Sequence, residues 1–231
     1  MKRIPALLTN GKLVIGSNHG DAFSKLSAQE QDGNISSGFV DPNSHKFVMD
    51  DQEIYLKEII LIRHAHTGDY FDPGISGLGH SQCEKVANFI SQHFDSQQFQ
   101  GFTSCCNRTR ETAQFIFSRL NINYTAGPDF CEPKNWDLPC NKSTDSWYES
   151  NYAFMERLQC ILAYLPEKSI IVSHCNFIVN MAQLCIGSTD ITTCPQWHGK
   201  IPHCSLTYLL YNRPMFIGEV DMDNLGKMEW R

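Results

Sequence analysis

The sequence predicts an α/β protein: a three-layer α/β/α sandwich with a largely parallel central sheet, extended at its amino terminus by a small β-hairpin unit. Two observations carry this. From Tyr55 onward, short apolar runs alternate with amphipathic helical stretches, the pattern of a parallel sheet covered on both faces. Before about residue 50, short apolar runs are divided by polar and Gly-rich punctuation with no helical period. The chain therefore divides into an extension over 1–50 and one main domain over 51–231. With 231 residues, 42% of them hydrophobic and 11% aromatic, it can bury one sizeable core.

In the extension, Leu7-Leu8 and Leu13-Val14-Ile15 flank Asn10-Gly11, a pair suited to the positive backbone angles of a hairpin turn. A second hairpin is expected to join Phe39-Val40 to Phe47-Val48 through Asp41-Pro42-Asn43-Ser44; a partly disordered tail is the alternative. In the main domain, Ile59 to Ile62 reads as a buried strand, followed by a helix with Cys83, Val86, Ile90 and Phe94 on one stripe. Gly101-Phe102-Thr103 forms a short strand, and the helix after it carries Thr109, Ala113, Ile116 and Leu120 in register. The stretch from Asn121 to about Thr144 reads as one long irregular loop, a candidate lid. A helix then bears Phe154, Leu158, Ile161, Leu162 and Leu165. The strand Ile170-Ile171-Val172 and a helix through Met181 and Leu184 follow. Leu206 to Tyr211 and Met215 to Ile217 close the domain as a hairpin across Asn212-Arg213-Pro214. There is no internal repeat and no low-complexity run.

A formal net charge of -6 argues against a protein that coats nucleic acid, while leaving room for a local cationic pocket and a small anionic substrate. The first residues, Met1 to Asn10, contain no apolar stretch long enough for a signal peptide, so the ten cysteines are expected to be reduced cytoplasmic thiols. None are spaced Cys-x-x-Cys. Cys83, Cys160 and Cys185 fall on apolar helical faces and read as small buried hydrophobes. No run approaches the ~20 apolar residues of a membrane span, so no membrane partner is expected.

Two histidines stand just past the ends of the two most apolar strands: Arg63-His64 after Ile59–Ile62, and Ser173-His174 after Ile170–Val172. In open α/β sheets the ligand crevice lies at those carboxyl ends. A single buried histidine is more often a satisfied core residue. Two at equivalent strand exits point instead to one shared pocket, with Arg63 beside them.

These residues carry a resemblance. Leu61-Ile62-Arg63-His64-Ala65-His66-Thr67-Gly68 resembles the signature strand and loop of the histidine phosphatase, or phosphoglycerate mutase-like, superfamily, with Ala65 where that family has glycine. Ile75-Ser76-Gly77-Leu78-Gly79-His80-Ser81-Gln82 resembles its leucine-glycine segment. Ser104 to Ala113 resembles its serine-rich turn and arginine-bearing helix. Glu149-Ser150, with Phe154 and Arg157, resembles the helix start before the last histidine, and Val172-Ser173-His174 that histidine's motif. The matches run in order from about Glu58 to Tyr211 and leave the first fifty residues outside.

The resemblance implies a phosphohydrolase in which His64 is transiently phosphorylated, with Arg63, Arg108 and His174 binding the phosphoryl group and a small phosphorylated metabolite as substrate. It implies no cofactor and no metal. Such a set suits phosphoryl transfer, because a neutral imidazole is a good nucleophile near pH 7 and planar guanidinium forks match phosphoryl oxygens. Arg108, four residues before Thr112, has the register of the motif; Arg110 reads as an exposed charge. Glu132 occupies the place of the general acid, with Asp129 and Asp137 as competitors. His66, Thr67 and Ser76 are candidate substrate contacts, whereas His19 reads as a turn residue.

Other readings are a sugar-phosphate mutase or a phosphohistidine-protein phosphatase of the same superfamily. Asp69 to Pro73, standing where mutases usually carry a tryptophan-containing segment, favours hydrolysis. Further away are a metal-dependent hydrolase using His64-x-His66, for which Arg63 and Arg108 are costly neighbours, and a noncatalytic phosphate-binding module.

Overall fold

Four consecutive apolar residues, Ile59-Ile60-Leu61-Ile62, are the middle of the strand Glu58–Arg63, and they set the layers of the main domain. Successive side chains of a strand point to opposite faces. Ile60 and Ile62 pack into one buried cluster and Ile59 and Leu61 into another. The computed structural model describes residues 4–9, 12–15, 19–26, 31, 35–41, 46–49, 52–55, 57–68, 73–133, 149–186, 201–210 and 213–219.

The main sheet has six strands in the order β11-β10-β6-β9-β7-β8. These are β6 (Glu58–Arg63), β7 (Gln100–Thr103), β8 (Tyr124–Ala126), β9 (Lys168–Ser173), β10 (Leu206–Leu210) and β11 (Arg213–Glu219). β6, β9, β7 and β8 run parallel, while β10 and β11 close one edge antiparallel. The first face is covered by α2 (Gly77–His93) and α3 (Asn107–Leu120), whose Cys83, Val86, Ile90, Ala113, Ile116 and Phe117 meet Ile60, Ile62, Ile170 and Val172. The second is covered by α4 (Asn151–Tyr164) and α5 (Cys175–Ile186), whose Phe154, Leu158, Ile161, Phe177 and Met181 meet Ile59, Leu61 and Ile171. This is the three-layer α/β/α sandwich that the alternating apolar pattern predicts, and each fully buried Ile or Leu contributes about 1.5–3 kcal/mol to it.

Residues before Glu58 form a separate five-stranded antiparallel sheet in the order β2-β1-β3-β4-β5. Its strands are β1 (Ile4–Thr9), β2 (Lys12–Ile15), β3 (Ile35–Asp41), β4 (Lys46–Met49) and β5 (Gln52–Tyr55), with a short helix α1 (His19–Ser24) between β2 and β3. Across Asn10-Gly11, Leu8 pairs with Leu13; across the second turn, Phe39 pairs with Val48 and Val40 with Phe47. β5 lies past residue 50 and pairs with β4.

Three expectations are corrected. The stretch after Asn121 is not irregular throughout: Tyr124–Ala126 adds β8 to the sheet, and Pro128–Phe130 makes a 3-10 turn. The carboxyl-terminal hairpin is tighter than expected, because Arg213 and Pro214 already belong to β11 and pair with Leu210 and Leu209. Cys160 is exposed rather than buried, although Cys83 is buried as expected. The side chain of Cys185, Asp137, the rest of the candidate lid over 134–148 and most of Asp69 to Pro73 lie outside the described residues. Among the described residues no helix is long and apolar enough to cross a membrane.

Candidate active site

Because β6 and β9 are parallel neighbours in register, with Ile62 opposite Val172 and Arg63 opposite Ser173, the residues that follow them leave the sheet side by side. The ladder continues one step further, with the His64 amide donating to the Ser173 carbonyl at 2.9 Å. The imidazoles of His64 and His174 end with ring centroids 5.5 Å apart, as the two strand exits predict. Both are buried, at 7% and 1% exposure.

The hydrogen bonds of each ring fix its tautomer. His64 Nδ1 lies 3.0 Å from the Ala65 carbonyl oxygen, which can only accept, so Nδ1 carries the proton and the lone pair is left on Nε2. In His174 the order is reversed. Its Nδ1 lies 3.4 Å from an Arg108 Nη, which can only donate, so Nδ1 accepts and Nε2–H donates to Ser104 Oγ at 2.8 Å. Burial holds both rings neutral, His64 down to about 2 and His174 to about 3, with the Arg108 and Arg63 charges and, for His64, the facing His174 adding to the effect.

Arg63, the last residue of β6, sends one Nη to the Ile201 carbonyl, while its buried Nε has no partner among the described residues. Arg108 stands in the first turn of α3, a helix tied to the signature loop through Thr112, whose hydroxyl accepts from the Ala65 amide (3.0 Å) and donates to the Arg108 carbonyl (2.6 Å). Arg110 is exposed. The methyl that Ala65 adds belongs to the cluster on the α2 and α3 face, so it fills core rather than narrowing the crevice.

Glu132 is the buried carboxyl of the loop after β8, and the competitor Asp129 is exposed. Its Oε1 accepts from the Asn176 amide, in the first turn of α5, at 3.0 Å. Its Oε2 is buried with no partner among the described residues. Burial raises its pKa, against the opposing pull of the Asn176 bonds and of Arg63 and Arg108, so this carboxyl keeps its proton to higher pH than an exposed glutamate.

The three candidate substrate contacts lie together on the neighbouring loop. The His66 amide donates to Gln82 Oε1 (2.9 Å), and its Nδ1 meets Ser76 Oγ at 2.8 Å. Ser76 also caps α2, accepting from the Gly79 amide at 3.1 Å, and Thr67 forms a β-bridge with Ile75. Gly79 has to be glycine, since a Cβ there would sit 2.4 Å from the His66 carbonyl oxygen.

The sequence reading passed over His203. Its ring lies 5.1 Å from that of His64 and 5.7 Å from that of His66, and its pKa is lowered to about 4, chiefly by burial. It stands in the turn before β10, whose Cys204 has a φ of 56° and donates its amide to the Arg63 and His64 carbonyls. The available signal was topological: a strand antiparallel to β6 begins where β6 ends. Among the described residues, no group of three His, Cys, Asp or Glu side chains is arranged to hold a metal ion.

No protein-family model and no curated protein matches this chain. Solved structures do match it. A mycobacterial glucosyl-3-phosphoglycerate phosphatase in complex with inorganic phosphate is similar at a TM-score of 0.55 and 15% identity, over 72% of this chain and 99% of that one. A structure described as mycobacterial hydrolase 1 is similar at 0.51 and 16%, over 67% and 91%. The product of an open reading frame of Mycobacterium tuberculosis is similar at 0.51 and 14%, over 71% and 98%. At these identities the likeness establishes the fold, which this chain shares.

Proposed function

We propose that this chain, which has the fold of the histidine phosphatase superfamily, is a phosphohydrolase that cleaves the monoester of a small phosphorylated metabolite through a phosphohistidine on His64. The observation that carries the reading is the tautomer of His64. With Nδ1–H committed to the Ala65 carbonyl, the nucleophilic lone pair is on Nε2, with Arg63, Arg108 and His174 beside the ring. That solved phosphatases share the fold is consistent with this reading and does not carry it.

In the first step Nε2 of His64 attacks phosphorus and the bond to the ester oxygen breaks. The leaving oxygen takes the proton of Glu132, whose raised pKa and buried Oε2, without a partner among the described residues, suit it as the acid. Arg63 and Arg108 stabilise the charge on the equatorial oxygens. When the ester enters as its monoanion, Arg108 exchanges the lone pair of His174 Nδ1 for a phosphoryl oxygen; Nδ1 takes the monoanion's proton, becomes the further donor, and returns that proton to inorganic phosphate as it leaves. In the second step the Glu132 carboxylate draws a proton from water, which attacks phosphohistidine and releases inorganic phosphate and a neutral His64. None of these steps needs a metal.

The test is a panel of phosphate monoesters given to the full-length protein and to His64→Ala, each with and without chelator. Turnover of at least one ester by the native protein, unaffected by chelator and absent in His64→Ala, is expected. Comparable turnover by His64→Ala would overturn the reading. Loss of activity in chelator, restored by zinc or manganese, would favour the metal-dependent alternative.

A further inference from the structure

Resting on the reading of Glu132 as the acid, we infer that Arg157 is a positioning residue for it, and that the Arg157–Glu149 pair holds the acid-bearing loop in its catalytic course. Arg157 lies on α4, in none of the elements that carry the phosphate-binding residues. A guanidinium has five N–H donors, and all five of Arg157's are engaged. Nε and one Nη form a fork with the two carboxylate oxygens of Glu149, each at 2.8 Å. The other three donors go to backbone carbonyls of the loop: Asp129, Cys131 at 3.2 Å and Glu132 itself at 3.4 Å. The pair is nearly buried, with side chains 14% and 8% exposed, and the guanidinium lies over the Phe154 ring at 4.7 Å.

The one carbonyl of this run that Arg157 does not take, that of Phe130, accepts from Ser173 Oγ at 2.5 Å. Four successive carbonyls, 129 to 132, thus bind side chains rather than a strand or helix partner. Among the described residues none of these four carbonyls has a backbone partner, so past the 3-10 turn the side chains set the course of the loop. The consequence at the acid is direct. With its carbonyl held by Arg157 and its Oε1 by the Asn176 amide, the carboxyl of Glu132 stays inside, where desolvation keeps its proton on against the charges that face it, Arg63 from β6 and Arg108 from α3. Freed from Arg157, the loop relaxes toward solvent and the carboxyl ionises at lower pH.

Arg157→Lys keeps the charge and loses the fork. In single-turnover mode, its phosphorylation step should slow on the order of tenfold or more for an alkyl phosphate, within the ~100 to 10,000-fold that proton donation supplies, and by less than about twofold for p-nitrophenyl phosphate, whose leaving group needs little help. The alkaline limb for the alkyl ester should also move to lower pH, which a loss of general stability would not cause. Glu149→Gln, which leaves the guanidinium in place, should give the same pattern more weakly and serves if Arg157→Lys does not fold. Adding Arg157→Lys to Glu132→Gln should produce no further selective loss. Equal slowing of both esters, or no slowing, overturns the inference. Glu132→Gln in the same assay separates the two claims. If it slows the alkyl ester selectively and Arg157→Lys does not, only the positioning role fails; if it spares the alkyl ester, the acid assignment fails and the inference with it.

Discussion

His64 and His174 stand at the exits of two adjacent parallel strands, whereas Glu132 is carried on a loop whose course is set by side chains. On the nucleophile side the geometry follows from backbone pairing: the β6–β9 register, the His64 amide on the Ser173 carbonyl and the Cys204 amide closing the turn from β10. On the acid side the same loop is pinned by Arg157, Ser173 and the first turn of α5. A strand exit cannot shift without breaking the sheet, but a loop on side-chain tethers can. The proposed catalytic groups therefore differ in how far a single distant substitution can disturb them.

Glu132→Gln breaks this comparison most strongly. Phosphorylation of His64 by an alkyl phosphate should slow by ~100 to 10,000-fold, while p-nitrophenyl phosphate slows only slightly, because nitrophenolate leaves without a proton. Single-turnover rates check this, since in the proposed second step Glu132 also serves the water. Equal slowing would assign Glu132 to binding or folding.

A smaller effect sharpens the comparison through pH. As the proposed acid Glu132 must be protonated to act, and its pKa is raised, so the ratio of kcat/KM for the alkyl ester to that for the nitrophenyl ester should be flat at low pH. It should fall as pH rises through the raised value. Each rate is first corrected for the ionisation of its own ester, because the nitrophenyl phosphate is the more acidic of the two. No acid limb from His64 is expected in the free enzyme until about pH 2.

The smallest effect is on stability. His64 and His174 stay neutral in the folded chain to about 2 and 3, whereas in the unfolded chain they protonate near the ordinary 6.5. The unfolded state thus binds more protons as pH falls below 6.5, so stability declines from there toward acid. His64→Ala removes one of these groups, and its thermal midpoint should fall less steeply than the native between pH 6.5 and pH 4. An equally steep slope would mean that His64 titrates normally in the folded chain.

The nucleophile side was the legible one, for the same reason that it is rigid. Runs such as Ile59–Ile62 and Ile170–Val172 announce buried parallel strands, and a residue just past such a strand has a known place. The stripes of α2 and α3 were legible because Cys83, Val86 and Ile90, and Ala113, Ile116 and Leu120, repeat at the helical period. Tyr124–Ala126 gave no signal: three exposed residues at a sheet edge have neither alternation nor length. Cys160 sits in an apolar stretch of sequence yet on the solvent side of α4, where a small thiol costs little. His203 depends on β10 running antiparallel beside β6, a pairing that no local pattern encodes. Arg157 stood in a recognisable motif, but its use lies in carbonyls more than twenty residues away, which sequence spacing cannot bring together.

The proposed chemistry stands or falls on the covalent intermediate on His64. Mixing the full-length protein with labelled p-nitrophenyl phosphate, quenching rapidly without acid and sequencing the labelled peptide by mass spectrometry tests it directly. An acid-labile, base-stable phosphoryl group is expected on the peptide that carries His64, formed and lost at rates that support turnover and absent from His64→Ala. Turnover with no labelled protein, or a label on another residue that persists in His64→Ala, would contradict it.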